Sequence, residues 1–158
     1  MNLKTFGQYD VIFREGDPGD CMYDIEYGKV GIFKDYGGKD EKKIAELFPG
    51  QLFGEMGLID GALRSATAVA LTDETVLDII SENDFYSYFE KKPYKILLLM
   101  QQMCNRLRRT TRNYMEACRT VYETVETEKA GKKKSQRLLE SIRRFCAQYN
   151  GFNINLHS

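Results

Sequence analysis

The 158-residue chain has a formal net charge of zero, from 23 Lys/Arg and 23 Asp/Glu, and is 42% hydrophobic, which suits one buried core with an appendage rather than two ordinary domains. No apolar run approaches the roughly 18 residues of a membrane span, and Met1-Asn2-Leu3-Lys4 leads into polar residues instead of a signal-like apolar stretch, so a soluble cytoplasmic protein without membrane contact is expected. Cys21, Cys104, Cys118 and Cys146 form no C-x-x-C pair and the single histidine, His157, is next to last, which argues against metal and iron-sulfur sites, haem, serine triads and Cys-His dyads; no cofactor and no catalytic residue is expected.

Along the chain, eleven of the thirteen glycines fall between Gly7 and Gly61 and none between Ala62 and Ala130, so turns dominate the front and helix the back. Short apolar or alternating runs at Met22–Ile25, Val30–Phe33 and Lys43–Leu47 are separated by turn clusters at Glu15–Asp20, Tyr36–Asp40 and Pro49-Gly50. Ala66–Leu71 and Thr75–Ile80 are two further strands. Many short strands at close spacing predict an antiparallel sandwich or barrel, a jelly roll among them. Ser81-Glu82-Asn83-Asp84 reads as a helix start with a capping serine, and Pro93 suits the first turn of a second, long helix.

In that second helix, Leu97, Met100, Cys104, Leu107, Thr111, Tyr114, Cys118, Val121 and Val125 alternate at spacings of three and four, a coiled-coil seam roughly 42 Å long. Part of the stripe also fits packing on the sheet domain, but a stripe that outreaches its own domain predicts a parallel homodimer. Glu126–Lys134 reads as a hinge, and Leu138, Leu139, Ile142, Phe145, Cys146 and Tyr149 trace the apolar face of a short terminal helix. The division expected is a core over 1–93, a dimerisation and lid helix over 94–127, and a basic hinge and terminal helix over 128–158. Charge follows it: Tyr94–Ser158 carries 13 Lys/Arg against 5 Asp/Glu, Met1–Pro93 carries 10 against 18. A solvated basic helix face and a nucleic-acid or acidic-partner surface both fit that asymmetry.

The segment with chemistry in it is Phe53-Gly54-Glu55-Met56-Gly57-Leu58 followed by Asp60-Gly61-Ala62-Leu63-Arg64-Ser65-Ala66-Thr67. Glycines at 54 and 57 let backbone N–H groups approach an anion, Glu55 can accept from a ribose hydroxyl, Arg64 offers a planar fork for two phosphate oxygens, and Ser65 adds a hydroxyl. Taken alone, an isolated Glu and Arg also fit an ordinary ion pair.

These residues resemble the phosphate-binding cassette of the cyclic-nucleotide-binding domain family: Phe-Gly-Glu, a hydrophobic residue, a small residue, Leu, a short loop, then Arg-(Ser/Thr/Ala)-Ala. The resemblance extends through Phe13–Asp20, Gly28-Lys29-Val30 and Asp78-Ile79-Ile80 to the seam, roughly residues 3 to 118. It implies a β-roll or jelly roll with a long C-terminal helix closing over the ligand. It also implies roles: Arg64 on the cyclic phosphate, Glu55 on the ribose 2′-hydroxyl, Gly54, Met56 and Ser65 completing the cradle, and Ile32, Ile44 and Ala45 lining the pocket. The long helix is most similar to that of the bacterial catabolite activator subfamily, where a Thr-Thr or Thr-Ser pair meets the adenine amino group, one from each subunit; Thr110 and Thr111 occupy that place.

The function implied is a non-catalytic sensor in which cAMP, with cGMP as the second ligand, rearranges a helical dimer and so alters a surface for a protein partner. About thirty residues follow the seam, fewer than a winged-helix DNA-binding domain needs, and the helix that usually precedes the roll is nearly absent, so DNA binding by the familiar route is not expected. The alternative is a Crp/Fnr-like regulator relative or a small basic nucleic-acid-binding protein holding phosphates through Arg106–Arg112 and Lys132–Arg144.

Overall fold

The computed structural model describes residues 1–127 and residue 140. Among the described residues eight strands form two antiparallel four-stranded sheets: β1 (Leu3–Phe6), β8 (Thr75–Ser81), β3 (Cys21–Tyr27) and β6 (Leu52–Phe53) in one, and β2 (Val11–Phe13), β7 (Thr67–Ala70), β4 (Val30–Lys34) and β5 (Lys42–Leu47) in the other. Helix α1 (Glu55–Asp60) sits between β6 and β7, and α2 (Phe85–Lys91) and α3 (Tyr94–Thr127) follow the last strand. The expected β-roll with a long helix is the observed architecture.

Phe6, Tyr23, Ile25, Val30, Phe53, Ala68, Ala70 and Leu77, drawn from both sheets, form one buried cluster inside the roll. A second cluster of Met22, Leu52, Ile80, Tyr88, Phe89 and Leu99 joins the outer face of the first sheet to α2 and the root of α3. Side chains alternate across a strand, so β3 gives Tyr23 and Ile25 to the first cluster and Met22 to the second. A strand buried on both faces shows little polar alternation, which is why it reads in the sequence only as a short apolar run.

Three strands and one helix went unread in the sequence. Of β1 only Phe6 is buried, β2 has three half-buried residues, and β6 has two residues, each too short to carry a period. Ser81 departs from its expected capping role. It has extended backbone ahead of a 3-10 turn at Glu82–Asp84, but its hydroxyl donates to the Asp84 carboxylate at 2.6 Å instead of receiving a backbone N–H.

Helix α3 spans 34 residues, beginning directly after Pro93 and running through Thr127, two residues into the segment read as a hinge. The remainder of that hinge, and the terminal helix traced from Leu138 to Tyr149, lie outside the described residues save Glu140, as does the basic run Lys132–Arg144 save that same residue. The chain divides into two compact units, Met1–Gln101 and the residues from Gln102 on, so the first two turns of α3 belong with the roll. Along the seam Leu97, Met100, Cys104, Leu107, Thr111, Tyr114 and Val121 are exposed and Cys118 is half-buried. Among the described residues no helix is long and apolar enough to cross a membrane.

Candidate functional site

The site begins where β6 ends. Gly54 takes a left-handed conformation (φ 76°), which turns the chain from β6 directly into α1. A Cβ at this position would lie 3.0 Å from Arg64 Nη1, so glycine also lets the guanidinium lie against the backbone. Helix α1 stops at Gly61, whose N–H bonds the Gly57 carbonyl, and the Asp60 carboxylate accepts from Ala62 N–H at 3.0 Å. The chain then returns to Arg64, whose backbone is clamped by the loop before β3: Arg64 N–H donates to Asp17 O at 2.8 Å, and Gly16 N–H donates to Arg64 O at 2.9 Å.

Arg64 is 4% exposed. Its Nη1 donates to Gly54 O at 2.6 Å and its Nη2 to Cys21 O at 2.7 Å. The guanidinium lies 4.3 Å from the centroid of the Phe13 ring and 5.9 Å from that of Tyr23, with Tyr23 stacked on Phe53 at 5.0 Å. An aromatic platform of this kind stabilises a cation by roughly 0.5–2 kcal/mol. Among the described residues the carboxylate within ion-pair reach is that of Asp20, at 4.0 Å from Nη2 and itself largely exposed. The Nε donor is buried with no hydrogen-bond partner. A buried cation whose donors are incompletely met, held by neutral carbonyls and rings, favours a bound anion that can take two parallel N–H bonds.

Glu55, in the first turn of α1, is 1% exposed, and its Oε2 is a buried acceptor. The first compact unit thus brings Gly54, Glu55 and Arg64 into one short stretch of backbone joining β6, α1 and β7. Met56 and Ser65 flank them on the exposed side. Ile32 packs on the inner cluster alongside Phe13 and pairs across the sheet with Ala45. Ile44 is the extra residue of a bulge in β5, where the register shifts between Ile32 and Phe33. Thr110 and Thr111 stand on α3 in the second unit, both exposed.

The family model described as cyclic nucleotide-binding domain matches residues 3–92. The chain belongs to the cyclic nucleotide-binding domain family. The match runs from β1 to the end of α2 and contains the whole of the Arg64 cradle. The cyclic AMP receptor protein of Thermus thermophilus is 37% identical over 105 residues, which cover 66% of this chain and 48% of that protein; the chain thus spans about half the length of this curated relative. Among solved structures, the T. thermophilus catabolite activator protein superposes with a TM-score of 0.64 at 26% identity, covering 93% of this chain and 78% of that one. The EAL enzyme Bd1971, described in cAMP-bound and cGMP-bound forms, superposes with a TM-score of 0.51 in both, at 32% and 33% identity, over 80% of this chain and 33% of that one.

Within this cyclic nucleotide-binding domain, reasoning from the sequence missed Phe13, Tyr23 and Cys21 as partners of Arg64. The Cys21 thiol donates to the Tyr23 hydroxyl at 3.2 Å. Burial first, and then the bond with Cys21, push the Tyr23 phenol above its ordinary range, while Arg64 pulls it back. Tyr23 stays neutral, and its ring serves as a platform beside the guanidinium. No spacing signal marks these residues, because they approach Arg64 through tertiary packing across some 40 to 50 residues of chain.

Proposed function

We propose that this domain binds cAMP, with cGMP as the weaker ligand, and acts as a sensor that does no bond-breaking. Arg64 takes the cyclic phosphate and Glu55 the ribose 2′-hydroxyl. Gly54, Met56 and Ser65 complete the cradle, and Ile32, Ile44 and Ala45 line the apolar side of sugar and base. The observation that carries this reading is the Arg64 guanidinium, buried over the Phe13 ring with its Nε unmet. The T. thermophilus relative named for cyclic AMP, and the cAMP-bound and cGMP-bound forms of Bd1971, support the choice of ligand.

Thr110 meets the base held in its own subunit and Thr111 the base held in the partner, across a parallel homodimer made by α3. Support for the dimer is the exposure of Leu97, Met100, Leu107, Tyr114 and Val121 along one stripe, apolar surface that a second helix would cover. Ligand that bridges two subunits would bias the helix pair and so a surface read by a downstream protein.

Thermal unfolding tests the reading. A ligand bound only by the folded state stabilises it by about 2.7 kcal/mol at a hundredfold excess over Kd. The melting temperature is expected to rise with cAMP, to rise less with cGMP at equal concentration, and to stay unchanged with 5′-AMP, whose open phosphate has a different shape and charge. Equal shifts with all three nucleotides would indicate unspecific anion binding instead.

A further inference from the structure

Strand β3 has two clients. Its Cys21 carbonyl and Tyr23 ring serve Arg64, while Asp24, on the face that also carries Met22, receives the root of α3. Asp24 is 1% exposed. Lys95, in the first turn of α3 and also buried, donates from Nζ to Asp24 Oδ1 at 2.7 Å and to Gly50 O at 2.8 Å. The Tyr88 hydroxyl of α2 donates to Asp24 Oδ2 at 2.5 Å. Burial and that bond to Asp24 push the Tyr88 phenol far above its ordinary range, so it remains a donor. Lys92, just before α3, stands 3.5 Å from the same Oδ2 and 3.2 Å from Glu26 Oε1, partly in solvent.

A buried ion pair is a poor way to add stability. Taking both charges out of water costs several kcal/mol, and well-packed apolar replacements of both partners are often neutral or stabilising. The site has apolar walls ready for such a replacement, since Met22, Leu52, Ile80, Phe89 and Leu99 form the cluster of that same face. What the pair supplies is direction. A carboxylate in a fixed strand accepts Lys95 in one register of α3, which an apolar contact does not demand. The second lysine adds another property: Lys92 lies three residues earlier and already stands 3.5 Å from the other carboxylate oxygen, so Asp24 can give up Lys95 and close on Lys92 as the first turn moves, without leaving its charge unpaired.

We propose that Asp24 is a positioning residue, a socket on the reverse side of the strand that serves Arg64, which fixes the root of α3 through Lys95 and passes to Lys92 when that root shifts. That occupancy of Arg64 biases the exchange rests on the ligand reading above; the positioning role does not.

Amide hydrogen exchange over residues 94–101 in the full chain tests both parts. In the double variant Asp24→Leu/Lys95→Met, which also leaves the Tyr88 hydroxyl without its acceptor, the fold is expected to survive with a urea midpoint below wild type, while exchange over 94–101 rises about tenfold relative to amides of β3 and β8. If that variant does not fold, Asp24→Asn/Lys95→Met retains an acceptor for Tyr88 and carries the same expectation. A stable double variant with unchanged or slower exchange at 94–101 would overturn the positioning role. Lys92→Met alone should raise ligand-free exchange at 94–101 by less than the double variant does, because Lys95 still holds Asp24, yet remove the change that cAMP produces there in wild type. A Lys92→Met protein that binds cAMP and responds as wild type overturns the exchange of lysines. Wild type that fails to bind cAMP overturns the ligand reading and the bias with it, and the ligand-free comparison still decides the socket.

Discussion

Gly19 and Gly57 meet backbone to backbone: a Cβ on Gly19 would lie 2.6 Å from Gly57 Cα, and one on Gly57 would lie 2.8 Å from Gly19 Cα. The loop before β3 and helix α1 are thereby pressed together, and the same loop clamps the Arg64 backbone through Asp17 and Gly16. No flexible side chain is available to yield at this contact. Gly19→Ala is therefore expected to destabilise the fold by about 1–3 kcal/mol through overpacking and to weaken cAMP binding by displacing α1. Gly7→Ala is the control, since its Cβ would meet only the Asp10 carboxylate at an ordinary 3.4 Å. Urea titration of both variants, with cAMP titration of each, measures the two effects. Equal stability of the two would contradict the packing argument.

Glu55 is expected to act on the sugar and not on the phosphate. Its carboxylate is buried in the first turn of α1, so a lost ligand hydroxyl cannot be replaced freely by water. Glu55→Gln should weaken cAMP binding by about 1.5–3 kcal/mol, roughly ten- to hundredfold, and should weaken binding of the 2′-deoxy analogue much less. A double-mutant cycle over residue and hydroxyl isolates the coupling. Equal penalties on both ligands would remove the assigned role.

Thr111 interrupts a stripe where an apolar residue would serve a coiled coil better. Thr111→Val keeps the volume and removes the hydroxyl. Sedimentation should find a dimer as firm as wild type or firmer, and nucleotide titration should find a reduced preference for cAMP over cGMP. A monomeric wild type at micromolar concentration, or a variant of unaltered selectivity, would assign the threonine to the helix surface alone.

Much of this was legible because it is local. The Phe53–Thr67 segment is a contiguous cassette, so its glycines, Glu55 and Arg64 stand at readable spacings, and α3 declares itself through a long period. The rest depends on contacts remote in sequence. Phe13 lies about fifty residues from the arginine it underlies, and its strand is too short to show alternation. Asp24 looks like a solvated polar break in a short apolar run, and Lys95 like one more lysine at a helix start. Only the packing of α2 and α3 on the outer face of β3 reveals that both are buried and paired. Composition disguised them, because a charged residue in sequence is read as solvated unless its partner is known.

Calorimetric titration of wild type and Arg64→Lys with cAMP decides whether Arg64 receives the phosphate of a cyclic nucleotide. Lysine keeps the charge but loses the planar fork, and it lets the Gly54 and Cys21 carbonyls retain a cationic neighbour, so the roll should remain folded by circular dichroism. The expected result is one cAMP per chain in wild type and at least about tenfold weaker binding in the variant. Absence of saturable binding of either cAMP or cGMP to wild type at about 1 mM nucleotide, or wild-type affinity in a folded Arg64→Lys protein, would contradict the account.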